Sequence, residues 1–289
     1  MKTLYDFASL RLCVKDLKLF RDARDFQILF LLAFLTLGIS ARDFTIKWDC
    51  VAAAMASSIV AQMIGDRLWH SANPSIRSAM ITAISLCLLL RANHWMTMVL
   101  AGSISIFSKF IFRFRGKHFF NPSNLGIVAV LLVASDGWVT PGQWGEEIWF
   151  AMIFAGAGLM VVRKVGRWDT TAVFLLSYAM LEAARNYWLG WTWDVFAHRM
   201  TSGSLLLFSF FMITDPRAIP DNTRARMIFA ALVAITSFVL RNYFFLPTAI
   251  FWALFVLSPL TLVLDRIWKS GRFQWDLQPS VVPASNIGR

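Results

Sequence analysis

Two stretches of this 289-residue chain hold residue types that can do chemistry. The first, GKHFFNPSNLGI over 116 to 127, places Lys117, His118, Asn121 and Asn124 around Pro122. Proline cannot continue a helix from the residues before it, whereas its fixed φ and missing N–H suit the first turn of a new one. A helix is therefore expected to begin here. Its unpaired N–H groups, with Lys117 and His118 just outside, make a positive, donor-rich end suited to an anionic or carbonyl-rich ligand. The same residues have a plainer use, with Asn121 and Ser123 as caps and Lys117 reaching toward lipid headgroups. The second stretch, SGSLLLFSFFMITDP over 202 to 216, sets Ser202, Gly203 and Ser204 at one end of an apolar run and Thr214 and Asp215 at the other. Neither stretch identifies a catalytic residue.

The elements that must position these residues follow from composition. Hydrophobic residues make up 57% of the chain and charged ones 16%, and the mean hydropathy is +0.58. The expected class is an all-α integral membrane protein. Residues 1 to 25 mix basic residues with Asp6, Asp16, Asp22 and Asp25 and show no small-residue cleavage site, so they are read as an N-terminal interfacial segment, not a removed signal peptide. Residues 26 to 265 form one transmembrane domain, and 266 to 289 a tail.

Ten apolar runs divide the domain, at about 26–41, 50–65, 77–91, 95–112, 122–135, 147–162, 169–184, 202–214, 225–240 and 246–264. With ten crossings, 22 of the 28 Lys and Arg residues fall on the N-terminal side of the membrane and six on the other. That asymmetry places both termini in the cytoplasm by the positive-inside rule. The net charge of +11 then belongs to one membrane face, where it sets orientation and attracts anionic lipid; no nucleic-acid partner is expected. Ten crossings divide as five plus five, and a repeat with an odd number of crossings must have an inverted second copy. The third and eighth runs hold equivalent places in the two halves and are short. About 14 residues at 1.5 Å each span roughly 21 Å, against a hydrocarbon core of about 30 Å. Interrupted helices and short or tilted spans both account for this.

The runs SAMITAISLCLLL (78 to 90), GKHFFNPSNLGI and SGSLLLFSFFMITDP, in this order and spacing, resemble a family of membrane subunits. It contains the D subunit of the Rnf electron-transport complex, the B subunit of the sodium-pumping NADH:quinone oxidoreductase, and stand-alone members, some labelled enediyne biosynthesis proteins. The resemblance covers residues 75 to 265. It implies a ten-helix inverted-repeat fold similar to that of urea transporters, in a bacterial inner membrane. It also implies membrane electron transfer with flavin (FMN or riboflavin) or quinone, in the company of partner protein subunits.

Family members with covalent FMN attach it to the Thr of Ser-Gly-Ala-Thr. Counting back from Thr214-Asp215-Pro216 aligns Ser202, Gly203, Ser204 and Leu205 with that motif, so the acceptor position holds leucine, which has no oxygen to attach. The expected cofactor is a noncovalent flavin or a quinone. Two alternatives stay open: a channel or carrier for a small solute, and a structural membrane subunit of a larger complex. Cys13, Cys50 and Cys87 lack metal-site spacing, and no metal is expected. Glu182 and Arg185 stand one helical turn apart and form a natural pair, as do Asp215 and Arg217. Trp188, Trp191, Trp193 and Phe196 read as an interfacial aromatic belt or as a stacking surface for a ring.

Overall fold

The computed structural model describes residues 22–41, 47–70, 75–140, 144, 148–273 and 275. The N-terminal segment up to residue 21, Cys13 and the tail beyond 275, with the expectation that both termini are cytoplasmic, lie outside the described residues. All ten apolar runs are helical over most of their length.

The first half contains α1 (Ala23–Ala41), α2 (Trp48–Leu68), α3 (Ile76–Leu89), α4 (Trp95–Ile111) and α5 (Pro122–Val133). The second contains α6 (Ile148–Val165), α7 (Trp168–Trp188), the short α8 (Trp193–Met200), α9 (Gly203–Leu207) running into a π-helical segment (Phe208–Met212), α10 (Thr223–Asn242), α11 (Ala249–Leu257) and α12 (Leu260–Ile267). Four of them (α1, α2, α6 and α10) are long and apolar enough to cross a membrane, and α11 with α12 makes a fifth if the pair, bent by 49°, is one span. The apolar helices α3, α4 and α5 are shorter, as is Gly203–Met212.

Sequence reading finds no strands, yet four very short ones form among the described residues. β1 (Leu90–Ala92) pairs antiparallel with β4 (Gly137–Val139), and β2 (Arg113–Phe114) with β3 (Lys117–His118). Ladders of two or three residues are too short to show an alternating pattern. The β2–β3 hairpin closes through Arg115 (φ 51°) and Gly116 (φ 82°), the two positive φ values that a tight two-residue hairpin needs. At the other end of the bundle, Asp136 beside β4 accepts from the His94 N–H (3.0 Å) and the Thr97 hydroxyl (2.7 Å), which holds the start of α4 against that strand pair.

Helix packing follows a regular order. In the first half α1 lies on α3, α2 on α3 and α4, and α4 on α5; in the second, α6 lies on α9 and the π segment, α7 on α10, and α10 on α11. The halves meet through α1 with α6 and through α5 with α11. One continuous apolar core, from Leu31 to Leu264, runs through both halves. At its centre the Phe34 and Phe154 rings meet edge to face at 4.5 Å, and Phe208 lies 5.2 Å from Phe174 and 6.0 Å from Phe251. Many apolar side chains face outward, among them Leu32, Ile64, Leu132, Met152 and Leu176. A bilayer solvates such surfaces as readily as a core does.

The tightest glycine contact joins α4 to α5. A Cβ on Gly126 would lie 1.9 Å from the Ser105 hydroxyl and 2.7 Å from the Ala101 carbonyl, and backbone cannot step aside cheaply. Gly126→Val is expected to cost about 1–3 kcal/mol or more through overpacking. Gly156→Ala, where a Cβ meets nothing within 4 Å, serves as the control. Thermal melts of the two variants in detergent check this: the first should lose several degrees and the second almost none.

Candidate functional site

The Asn-Pro turn is built from its own side chains. Asn121 is the N-cap of α5: its Oδ1 accepts from the Asn124 N–H (3.0 Å) and the Ser123 hydroxyl (2.9 Å), so one orphan donor of the first turn is satisfied. The two amides then reach across the molecule. Asn121 Nδ2 donates to the Met212 carbonyl at the end of the π segment (3.0 Å), and Asn124 Nδ2 donates to the Phe251 carbonyl in α11 (3.1 Å). Both residues are buried, and Asn124 Oδ1 has no hydrogen-bond partner among the described residues.

The π segment supplies the opposite wall. Its i→i+5 bond from the Ile213 N–H to the Phe208 carbonyl leaves neighbouring carbonyls to other donors, and Thr171 of α7 takes the one at Ser209 (2.7 Å). Thr214 donates its hydroxyl back to the Phe210 carbonyl (2.7 Å). Asp215 follows, accepting from the Arg217 N–H (3.1 Å), with its Oδ2 3.6 Å from His118 Nε2. Two turns about 90 residues apart in sequence thus face one another, and Asp215 has His118 beside it as well as its neighbour Arg217.

Between them lies a cavity of about 120 Å³. The starts of α3 (Ser75, Ser78) and α5 (Asn121 to Ser123), the Thr214–Arg217 turn, His118, Gln62, Asp66 and four cations, Arg24, Lys109, Arg113 and Arg217, line it. Lys109 is a residue that the sequence counts only among the 22 Lys and Arg of one membrane face. It is only 8% exposed, and its ammonium donates to Ser78 Oγ (3.0 Å) and Gln62 Oε1 (3.3 Å). A lysine has three donors, so one N–H is left for whatever enters the cavity. Gln62 is itself held by Asp66 (3.0 Å).

Lys117 does not line the cavity. It is buried between two carboxylates, Asp265 (2.7 Å) and Asp221 (3.1 Å), and Asp265 also accepts from the Asp221 N–H. Beside it Arg226 pairs with Asp169 (2.7 Å) and donates to the Asp221 carbonyl. Ser202, Gly203 and Ser204 sit at the far end of the Gly203–Met212 helix and share nothing with the cavity. A Cβ on Gly203 would lie 2.5 Å from Trp144 Cβ, Ser204 is 2% exposed, and Leu205 packs in the core. Close to that end, Glu182 pairs with Arg199 of α8 (2.7 Å) and with Asn242 (2.9 Å), not with Arg185, which stacks on Trp191. Trp188 is 87% exposed and Trp193 59%.

Burial pushes the proton affinity of His118 below its usual 6.5, against the pull of Asp215. Burial would raise the Asp215 carboxyl, but His118 and Arg217 outweigh it and hold the group below 3.8. Both depressed values make stability that is present at neutral pH and lost on acidification: first below about pH 6.5, where the unfolded histidine takes up a proton that the folded one refuses, then below 3.8 as Asp215 is protonated. The melting temperature should therefore fall from about pH 7 to about pH 5, and His118→Gln should flatten that fall; an unchanged slope would place its origin elsewhere. Lys117→Met leaves two half-buried carboxylates without their shared cation and is expected to cost up to about 3 kcal/mol, read as a lower yield of folded protein and a lower melting temperature.

Comparison with known proteins follows the second half of the chain. The model of the NQR2, RnfD, RnfE family matches residues 132–274, about half of the sequence. Among curated proteins, the D subunit of an ion-translocating oxidoreductase complex from Halorhodospira halophila is 30% identical over 127 residues, 44% of this chain and 35% of that one. The corresponding protein of Escherichia fergusonii is 29% identical over 142 residues, 46% and 36% of the two chains, and that of Stutzerimonas stutzeri 29% identical over 126 residues, 44% and 35%. The match to these relatives thus spans little more than a third of their length. The matched segment holds the π segment, the Thr214–Asp215–Pro216 turn and both broken-helix pieces of the second half, and through it the chain belongs to the NQR2, RnfD, RnfE family.

Proposed function

We propose that this chain is a membrane-embedded electron-transfer subunit that holds a noncovalent flavin or a quinone at the cavity between the Asn121–Asn124 and Thr214–Arg217 turns, and works with partner subunits. One observation carries the reading: the two turns by which the chain resembles electron-transport subunits meet around a single cation-rich cavity. The name of the relatives, which are D subunits of ion-translocating oxidoreductase complexes, supports the same assignment.

The packing order supports a five-plus-five inverted repeat. The pairs α1 with α3, α2 with α4 and α4 with α5 have counterparts in α6 with α9, α7 with α10 and α10 with α11, and the two helix pairs that join the halves, α1 with α6 and α5 with α11, are equivalent members. On this reading the ten helical runs are ten crossings, and the basic cavity end faces the cytoplasm of a bacterial inner membrane.

A bound flavin or quinone would supply the redox chemistry. The protein's part is electrostatic. Lys109, with Arg113 and Arg217 nearby and the positive starts of α3 and α5, favours negative charge in the cavity, which stabilises a reduced and charged ligand over a neutral oxidised one. His118 offers an Nε2 with no hydrogen-bond partner among the described residues, 3.6 Å from Asp215, a group able to hold a proton beside the ligand. The distant Ser202–Leu205 segment does not fit an attached cofactor, because Leu205 has no nucleophile and the Ser204 hydroxyl is enclosed in the core.

A second reading, a carrier for a small neutral or anionic solute, is favoured by the cavity's size. About 120 Å³ is well under the roughly 300–1,000 Å³ of pockets that enclose a whole cofactor-sized ligand. The two readings separate on one preparation. Protein purified in mild detergent is expected to show flavin or quinone absorbance; unfolding should release all of it, leaving no flavin fluorescence on the denatured chain in a gel, even after expression with a flavin transferase. A fluorescent band lost in Ser204→Ala would overturn the noncovalent assignment. Absence of any chromophore, together with solute uptake by liposomes containing the protein, would favour the carrier.

A further inference from the structure

We infer that Cys50, Cys87 and Met98 form a binding site for a soft monovalent metal ion, Cu(I), at the end of the bundle away from the cavity between the two turns. The site is independent of the electron-transfer reading.

Three helices supply the sulfurs. Cys50 is in the first turn of α2, Cys87 near the end of α3 and Met98 in the first turn of α4, and together they line a separate cavity of about 20 Å³ with Lys47, Arg91 and Ala92. All three are buried. Both cysteines among the described residues are free thiols, and both are here. Sequence spacing tests only for ligands carried by one element, and these come from three. Cys87 lies nine residues along α3 from Ser78, which lines the larger cavity, so about 14 Å of helix separates the two places. The frame is fixed from outside: α2 packs on α3 and α4, and Asp136 holds the start of α4 to the β1–β4 pair.

Chemistry narrows the ligand. A cavity of this size holds little more than one water-sized body, so an ion fits and a larger molecule does not. Thiolate and thioether sulfurs select Cu(I) over hard cations. A structural Zn(II) site takes four ligands, and no His, Asp or Glu lines this cavity to complete the set. Binding displaces one proton from each thiol and transfers no electron; the Cys50 Sγ, which donates to the Ala92 carbonyl at 3.8 Å, would give up that proton to bind the ion. Two thiolates around one monovalent ion carry one negative charge in total. The two charged residues lining the cavity are both cations, and both are held in place: Lys47 donates to the Asn93 carbonyl (2.7 Å) and Arg91 to the Cys87 carbonyl (2.5 Å). Their charge favours the anionic complex over a neutral one.

The test is titration of Cu(I) into the reduced full chain in detergent, without oxygen, against bicinchoninate, a coloured Cu(I) chelator. The chain should withdraw one Cu(I) from the chelator, and excess Zn(II) should not displace it. Cys50→Ser and Cys87→Ser should each abolish the uptake, Met98→Leu should weaken it, and Cys13→Ser should leave it unchanged, with melting temperatures showing that each variant is folded. Should a buried cysteine prove necessary for folding, X-ray absorption of the copper-loaded unsubstituted chain gives a second reading, in which copper should have sulfur neighbours only. Nitrogen or oxygen neighbours, uptake that survives the loss of either cysteine, displacement by Zn(II), or no uptake by the reduced chain would each overturn the inference.

Discussion

Hydrocarbon offers a backbone group nothing to bond to, and this constraint shapes the interruptions in the fold. Where helices stop or change pitch, side chains from other elements take the freed carbonyls. Asn121 serves Met212, Asn124 serves Phe251, Thr171 serves Ser209 and Thr261 serves Ala218. Each of these bonds joins elements distant in sequence. The breaks in the helices are therefore also points at which separate elements are fastened, and the Asn-Pro turn, which ties the first half to the second twice, is the busiest of them. Losing the Asn121 side chain would remove one of these ties between the halves together with the N-cap of α5.

Charge is arranged by the same economy. Lys117 with Asp221 and Asp265, and Arg226 with Asp169, consume their charges internally and fix the loop after the π segment to α12, α10 and α7. Paired groups of this kind hold geometry more than they add stability. Lys109 is different, since its hydrogen-bond partners among the described residues are a hydroxyl and an amide. An ammonium bonded only to neutral groups is costly near a membrane interior.

Much of this was legible in the sequence. Apolar runs longer than a dozen residues have one stable form in lipid, so all ten appeared as helices, and Pro122 with Asn121 announced a helix start through local chemistry alone. What escaped depended on neighbours remote in sequence or on very short elements. Glu182 and Arg185 satisfy the one-turn rule, but the chain between Leu189 and Thr192 folds α8 back and delivers Arg199 to the carboxylate first. The β2–β3 hairpin was too small to carry a period. Lys109 did carry a signal, a lone cation inside the apolar run SISIFSKFIF, but it entered only as one of the 22 basic residues that set orientation. The separation of Lys117 from the cavity had no signal at all, because Asp221 and Asp265 lie 104 and 148 residues away.

The π segment changes the meaning of distance along the chain. An α-helix turns about 100° per residue, so one residue of surplus in a single turn twists everything before it by that amount relative to everything after it. Ser202 to Leu207 are thus presented at an angle that counting back from Thr214 does not describe. Deleting one residue between Phe208 and Met212 would act less as a shortening, of about 1.5 Å, than as a rotation of the upstream end. Such a deletion would swing Leu205 and the enclosed Ser204 hydroxyl onto other bearings while Thr214, Asp215 and the cavity stayed where they are. In this protein the two ends of one short helix are geared to each other through five residues, and the gear ratio is written in hydrogen bonds, not in side chains.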